Sequence, residues 1–362
     1  MDRALRGYRS AVDEDVPEGL MRSDPAGPGF SRRRRGRGFG YLDEHGETLR
    51  DPEQLARARG LVIPPAWQDV WISADPAGHI QGVGTDAAGR RQYRYHDDWN
   101  RQRATEKYER VLALGRRMPQ VREEIGRLLA GKGLGRERVL AGAVRMLDVG
   151  VFRAGGEAYA PAEDDDEGSF GLATLRRDHV RLRRGAVEAR YVAKGGIERI
   201  VALRDPVLHR FVGGLLRRRG GGEGLLAYRV GREWHDVRVE HLNEGVKELV
   251  GEPFTCKDLR TWNATVLAAA TLAAAVTPGP SGSERARRRV VKAAITTVAE
   301  HLGNTVTVAR SSYVDPRIVE RFEAGVTISA ALRAGGLDPA DDAGRAVVER
   351  AVVRLLRAHQ DV

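Results

Sequence analysis

The chain has 362 residues, 41% hydrophobic and 30% charged, enough for a substantial core and long enough for two domains. Its one cysteine, Cys256, excludes intrachain disulfides and multi-cysteine metal clusters, and no apolar run approaches membrane-spanning length. A net charge of +10 and a pI near 10.0 favour a polyanionic partner, nucleic acid or a membrane surface.

The positive excess is almost all arginine; lysine occurs only at positions 107, 132, 194, 247, 257 and 292. Met1–Arg6 has no apolar segment, so no signal peptide is expected and the chain reads as cytoplasmic. Residues 1 to 30, rich in Gly, Pro and charge without periodicity, are expected to form a flexible lead-in. Ser31–Tyr41 follows as a basic tail or a basic entry strand, with Phe39 and Tyr41 alternating ahead of a turn at 43–46. Asp51-Pro52 predicts a helix through Ala58, because aspartate caps and proline suits the first helical position. Ile63-Pro64-Pro65-Ala66-Trp67 reads as extended chain leading into a strand, 79–85 as another strand, and 86–89 as the turn before a third.

That third strand places Arg91, Tyr93 and Tyr95 on one side and Gln92, Arg94 and His96 on the other. Gln and Arg can read base edges, and Tyr can stack or contact phosphate; an exposed amphipathic edge strand would look the same. From Asp97 the pattern turns helical: Trp99–Met118 stopped by Pro119, then 120–129, then Glu137–Phe152 with a buried stripe of Leu140, Val144, Leu147 and Val151. The loop at 131–135 lacks the spacing of a phosphate-binding loop. The acidic run 163–167 reads as a solvated loop. A domain boundary falls near residue 105, giving a β-rich N-terminal domain (1–105) and a second domain (106–362).

Three strands, 179–182, 188–193 and 197–203, are separated by turn signals at Arg184-Gly185 and Lys194-Gly195-Gly196, which predicts an antiparallel sheet with Lys194 at a hairpin tip. Helices are predicted from Asp205-Pro206, over 241–250, and over 257–275 with Thr255 as cap and Leu259, Trp262, Val266, Ala270 and Ala273 buried. Arg260 lies in the first turn of the last of these, where free backbone amides favour an anion. Ser281 with Glu284 resembles a capping box for a helix to Leu302, ended by Gly303. A short connector then carries Tyr313 to a helix opened by Asp315-Pro316. The fold class is α+β: a small β-rich domain, then a larger, mostly helical domain carrying a three-stranded antiparallel sheet.

A tyrosine is most often a half-buried ring with a bonded hydroxyl, and as a nucleophile Tyr313 needs cations nearby. An ordered series of motifs supplies them: I-P-P-A-W-Q-D-V-W-I (63–72), G-R-R-Q-Y-R-Y-H (89–96), F-R-A-G-G-E-A-Y-A (152–160), G-S-F-G-L-A-T-L-R (168–176), Y-V-A-K-G-G (191–196), F-T-C-K-D-L-R-T-W (254–262) and L-G-N-T-V-T-V-A-R-S-S-Y (302–313). Together these resemble the catalytic domain of type IB DNA topoisomerases, in particular the small poxvirus-like bacterial enzymes, from about Arg35 to about Phe322. By that resemblance Arg153, Lys194, Arg260 and Tyr313 match the family's two arginines, lysine and nucleophile. Where many members place histidine, nine residues before the tyrosine, this chain has Asn304, which can donate a hydrogen bond but cannot add charge or shuttle a proton.

The resemblance implies relaxation of supercoiled duplex DNA through a 3′-phosphotyrosyl intermediate, needing neither ATP nor a metal or other cofactor. It further implies a nucleoid-associated monomer forming a C-shaped clamp on DNA, with Gln92, Tyr93, Arg94 and Tyr95 near the major groove and Lys257 touching phosphate. A tyrosine recombinase or integrase shares the chemistry. Such enzymes usually show histidine three residues before the second arginine, where this chain has Lys257, and a helical N-terminal domain. A non-enzymatic DNA-binding protein accounts for the charge but leaves Lys194, Arg260 and Tyr313 unexplained.

Overall fold

The computed structural model describes residues 16–155, 168–275, 283–338 and 340–358. The acidic run 163–167 and the loop containing Ser281 lie outside them. The chain divides between Lys107 and Tyr108 into two compact units.

In the N-terminal unit, the arginine run is a strand. β1 (Phe30–Arg35) pairs antiparallel with β2 (Gly38–Leu42), Arg34 opposite Phe39. Prolines have no N–H to offer a ladder, so the carbonyls around Pro64-Pro65 need other donors. Arg32 supplies them: its guanidinium donates to the carbonyls of Ile63 (2.8 Å), Pro64 (3.0 Å) and Trp67 (2.8 Å) and lies 4.1 Å from the centre of the Phe39 ring. Helix α1 (Pro52–Gly60) starts as expected, with the Asp51 carboxylate accepting from the amides of Glu53 and Gln54. β3 (Gln68–Ile72), β4 (Ile80–Thr85) and β5 (Arg91–Tyr95) complete a sheet of order β2-β1-β3-β4-β5 over a core of Phe30, Leu49, Ala58, Ile63, Val70 and Ile72. β5 is therefore an edge strand.

The expectation of a loose lead-in to residue 30 is corrected over part of its described length. The Met21 amide donates to the Ala77 carbonyl (2.7 Å), the Ser23 amide to His79 Nδ1 (2.9 Å), and Trp71 Nε1 to the Gly27 carbonyl (3.1 Å). The segment lacks periodicity because it serves to satisfy polar groups of the sheet, which leaves no hydrophobic signature.

Helix α2 (Asp97–Ala130) runs unbroken through Pro119, correcting the expected stop. An interior proline costs roughly 3 kcal/mol. Against this, Met118, Val121, Ile125 and Leu129 are all buried, and burying such a side chain contributes roughly 1.5–3 kcal/mol each. Tertiary packing on both sides of the proline therefore outweighs the local penalty. α3 (Arg136–Gly150) has its predicted stripe buried and ends in a left-handed turn at Val151.

The three-stranded sheet has the predicted order: β6 (Val180–Arg183), β7 (Ala186–Ala193) and β8 (Ile197–Leu203), with Arg199 opposite Tyr191. α4 (Pro206–Arg217) is capped by Asp205. The hairpin of β9 (Ala227–Val230) and β10 (Glu233–Asp236) was not anticipated; strands of four residues are too short to establish an alternation. α5 (Val239–Val250) and α6 (Cys256–Ala275) follow. In α6 the whole predicted stripe is buried, and Cys256 is a packed thiol, pushed up to about 12 chiefly by burial. α7 (Glu284–Leu302) is capped by Ser283, whose Oγ accepts from the Ala286 amide. α8 (Val306–Ser312), α9 (Pro316–Glu323), α10 (Ser329–Ala334) and α11 (Asp342–Arg357) complete the unit.

Candidate active site

Four of the sequence-predicted residues meet where α3, α6 and α7 end or begin. The left-handed turn at Val151 (φ 49°) swings the chain off α3, burying Phe152 and bringing out Arg153. Arg260 sits in the second turn of α6, 4% exposed, and its guanidinium donates to the carbonyls of Val151 and Leu302. These are the end carbonyls of α3 and α7, groups that a helix leaves without internal partners. Arg260 thus joins two helix C-termini.

α7 ends at Gly303, in the left-handed region at φ 59°. Glycine serves here twice, since a Cβ would also lie 2.4 Å from Arg199 Nη1. The Asn304 amide closes the turn on the Ala299 carbonyl at 2.9 Å. Arg153 Nη2 donates to the Gly303 carbonyl (3.2 Å) and to Asn304 Oδ1. An arginine can only donate, so this contact fixes the orientation of the Asn304 amide. Its Nδ2 is then left buried without a hydrogen-bond partner.

The expected connector to Tyr313 is a helix. Thr305 caps α8 through Oγ1 to the Val308 amide (3.3 Å), and Tyr313 is its C-cap residue, with its amide on the Ala309 carbonyl (3.1 Å). A seven-residue helix of small and β-branched residues shows no apolar stripe for a sequence reading to find. The backbone at Tyr313 is pinned from two sides. Thr265 Oγ1 of α6 donates to the Tyr313 carbonyl (3.3 Å) and accepts from the Asp315 amide (3.2 Å), while the Tyr108 hydroxyl of α2 donates to the Val314 carbonyl (2.9 Å). The Tyr313 ring is 9% exposed, and Arg260 Cζ lies 5.3 Å from its centre. Asp315-Pro316 opens α9 as the sequence indicated.

Electrostatically the site is a concentration of positive charge. Burial first, then the neighbouring Arg153, push Arg260 down to about 10; the facing Tyr313 phenol opposes this, and Arg199 adds to the lowering. The Tyr191 hydroxyl is pushed up by burial, against the pull of Arg199, Arg260 and Arg153. The His301 imidazole is pushed down by desolvation, then by Arg199 and Arg260. Among the described residues, no hydrogen-bond or ion-pair partner of Arg153, Arg199 or Arg260 is a carboxylate. Such a site has charge and donors free for an anion.

Lys194 lies in the turn between β7 and β8, exposed, with Gly195 and Gly196 at φ 88° and 72°. Lys257 is exposed in the first turn of α6. In the N-terminal unit, Tyr93 and Tyr95 share a face of β5 and stack at 6.0 Å, and Tyr95 stacks on Trp99 at 5.9 Å. Gln92 faces the other way and donates to Asp86 Oδ2 (2.9 Å), and Arg94 is exposed. Sequence reasoning missed Arg199, which donates to the His301 carbonyl at 2.7 Å. The signal was present in the inward register of β8, where Arg199 continues the series of buried Val201 and Leu203.

Residues 96–329 match the family model described as eukaryotic DNA topoisomerase I, catalytic core. Residues 38–86 match the model described as bacterial DNA topoisomerase IB, N-terminal domain. The chain is also 26% identical over 289 residues to the DNA topoisomerase 1B of Acanthamoeba polyphaga mimivirus, an alignment covering 78% of this chain and 83% of the relative.

Proposed function

The chain belongs to the type IB DNA topoisomerases, and from that premise we propose that it relaxes supercoiled duplex DNA by transient cleavage of one strand, with Tyr313 as the nucleophile. The Tyr313 oxygen attacks a backbone phosphodiester, forming the bond to phosphorus as the bond to the 5′ oxygen breaks. The phenol gives up its proton to solvent water, and the departing 5′ oxygen takes one from Lys194 as general acid. The products are a 3′-phosphotyrosyl link and a free 5′ hydroxyl. Because the ester keeps the bond energy, the reverse attack by the 5′ hydroxyl reseals the strand with no nucleotide consumed.

Negative charge builds on the non-bridging oxygens in the five-coordinate transition state, and preorganised donors there stabilise it. In this reading Arg153 and Arg260 are the cationic donors, their planar forks suited to phosphate. Asn304 Nδ2, left unpartnered by the contact of its oxygen with Arg153, is the neutral third donor. Arg260 beside the Tyr313 ring also favours the charge that the phenol oxygen acquires as it attacks. The observation that carries the reading is the meeting of Arg153, Arg260, Asn304 and Tyr313 with no neutralising carboxylate among their partners in the described residues.

Lys257, one turn before Arg260, serves as a phosphate contact, and the edge strand β5 gives the N-terminal unit a DNA-contacting surface through Gln92, Tyr93, Arg94 and Tyr95. The test is relaxation of supercoiled plasmid in EDTA without ATP, run beside Tyr313→Phe. Wild type relaxes both supercoil signs and Tyr313→Phe relaxes neither. Equal relaxation by the variant contradicts the nucleophile assignment, and strand exchange between two sites in preference to relaxation contradicts the reaction.

A further inference from the structure

On β8 the side chains facing the body of the unit are Leu203, Val201, Arg199 and Ile197, at alternating positions. The first two are buried, at 3% and 8% exposure, whereas Ile197 is 53% exposed. On β8, Arg199 is therefore the last inward side chain that reaches the body before the turn, while on β7 Ala193, opposite Ile197, is buried at 5% exposure. The outward side holds the Arg190 to Glu198 ion pair (2.8 Å) and the exposed Val192 and Ile200, so near the tip the hairpin is held from its inward side and by the Phe170 amide, which donates to the Val192 carbonyl at 2.8 Å.

The grip of Arg199 is specific. Nη2 donates to the His301 carbonyl at 2.7 Å, one of the end carbonyls of α7. The guanidinium packs against Gly303, where a Cβ would come 2.4 Å from Nη1 and 3.3 Å from Cζ. Gly303 is followed by Asn304, and Arg199 lies five residues along the hairpin from Lys194. One side chain thus joins the strand that carries Lys194 to the turn that carries Asn304.

We propose that Arg199 is a positioning residue: its bond to the α7 terminus sets where the β7–β8 hairpin holds Lys194 relative to the anion site formed by Arg153, Arg260 and Asn304. The proposal rests on the reading of Lys194 as general acid. Arg199 acts through the hairpin, so its loss impairs protonation of the leaving oxygen more than attack by Tyr313 or binding of DNA.

A bridging sulfur in place of the 5′ oxygen tests this, because a thiolate leaves without being protonated. Single-turnover cleavage is measured at a mapped site in a short duplex carrying either oxygen or sulfur there, with wild type, Lys194→Ala, Arg199→Ala, Arg199→Gln and Arg199→Lys. General acid catalysis contributes about 100-fold or more, so Lys194→Ala loses about that on oxygen and recovers on sulfur. Arg199→Ala is expected to lose about 10-fold or more on oxygen, to recover most of it on sulfur, and to bind the duplex with an unchanged Kd. Arg199→Lys, which keeps a donor, is expected to retain more activity than alanine on oxygen.

If Lys194→Ala is rescued by sulfur and Arg199→Ala is not, Arg199 does not position the acid and the proposal is overturned. Failure of sulfur to rescue Lys194→Ala instead overturns the general-acid reading itself. Should Arg199→Ala not fold, Arg199→Gln, which keeps a donor for the carbonyl without the charge, carries the same comparison; a sulfur-insensitive defect there overturns the proposal.

Discussion

Two arginine clusters in the catalytic unit are held in opposite ways. Arg122, Arg145 and Arg345, all buried, are paired with carboxylates: Arg122 with Asp148 (2.8 Å) and Glu349 (2.7 Å), Arg145 with Asp205 (2.8 Å), and Arg345 with Asp148 (3.1 Å). Burial would push the Asp148 carboxyl up, but Arg122, Arg345 and Arg145 outweigh it and hold the group well below the usual carboxylate range. Arg153, Arg199 and Arg260 instead lean on backbone carbonyls and the Asn304 amide. The first cluster is electrically closed and fastens α11 to α2 and α3. The second keeps its charge available while its geometry is fixed by helix ends. Partner type separates Arg122, Arg145 and Arg345 from Arg153 and Arg260, the proposed phosphate-binding arginines, more sharply than burial does, since Arg260 is as buried as Arg122.

The contrast can be broken from either side. Asp148→Asn removes the carboxylate that three arginines share, and leaving buried charge uncompensated costs roughly 3–5 kcal/mol. Urea unfolding is expected to show a loss of that order, while the cleavage rate of the remaining folded protein stays near wild type. The same pairing makes acid destabilising: the depressed carboxyl contributes stability above its usual range, and that contribution is lost as pH falls through the folded-state value. Arg153→Ala should do the reverse. Its proposed transition-state role predicts single-turnover cleavage slower by about 100–1000-fold, with a Tm close to wild type. A large fall in Tm with little change in cleavage would place Arg153 in the structural class.

Smaller effects sharpen the second cluster. Arg260 is charged below about 10, so the cleavage rate of the wild type is expected to fall as pH rises through that value. Rates unchanged well beyond it would contradict either the lowered Arg260 guanidinium or the use of its charge in cleavage. Asn304→Ala removes one neutral donor, a change of about 1 kcal/mol or slightly more. Cleavage should slow about 10-fold with DNA binding intact, and equal loss of both would make Asn304 a residue that positions Arg153.

Much of this organisation was readable from residue chemistry. Asp-Pro pairs at 51, 205 and 315 marked three helix starts, because capping and a fixed φ act locally. Turn glycines flanking Lys194 marked the hairpin, and the 3.6-residue stripe on α6 identified its buried face. Pro119 misled because its local cost is outweighed by packing that the sequence does not display. α8 was missed because seven residues carry no period, and Ser283 was displaced by the better-spaced Ser281 and Glu284 pair. Within the site, Arg153, Arg260 and Tyr313 were reached through motif resemblance. Their carbonyl partners at Val151, Gly303 and Leu302 come from helix termini far apart in sequence, and only the folded chain brings them together. Arg199 was legible only as an inward position of β8; its partner, the His301 carbonyl, is met only in the folded chain.

The most direct measurement is the identity of the covalent link. The enzyme is denatured during reaction with duplex DNA, digested with nuclease and protease, and analysed by mass spectrometry. A nucleotide attached through its 3′ phosphate to the peptide containing Tyr313, absent from Tyr313→Phe, is the predicted result. Attachment at any other residue, or an adduct undiminished in Tyr313→Phe, would contradict the account.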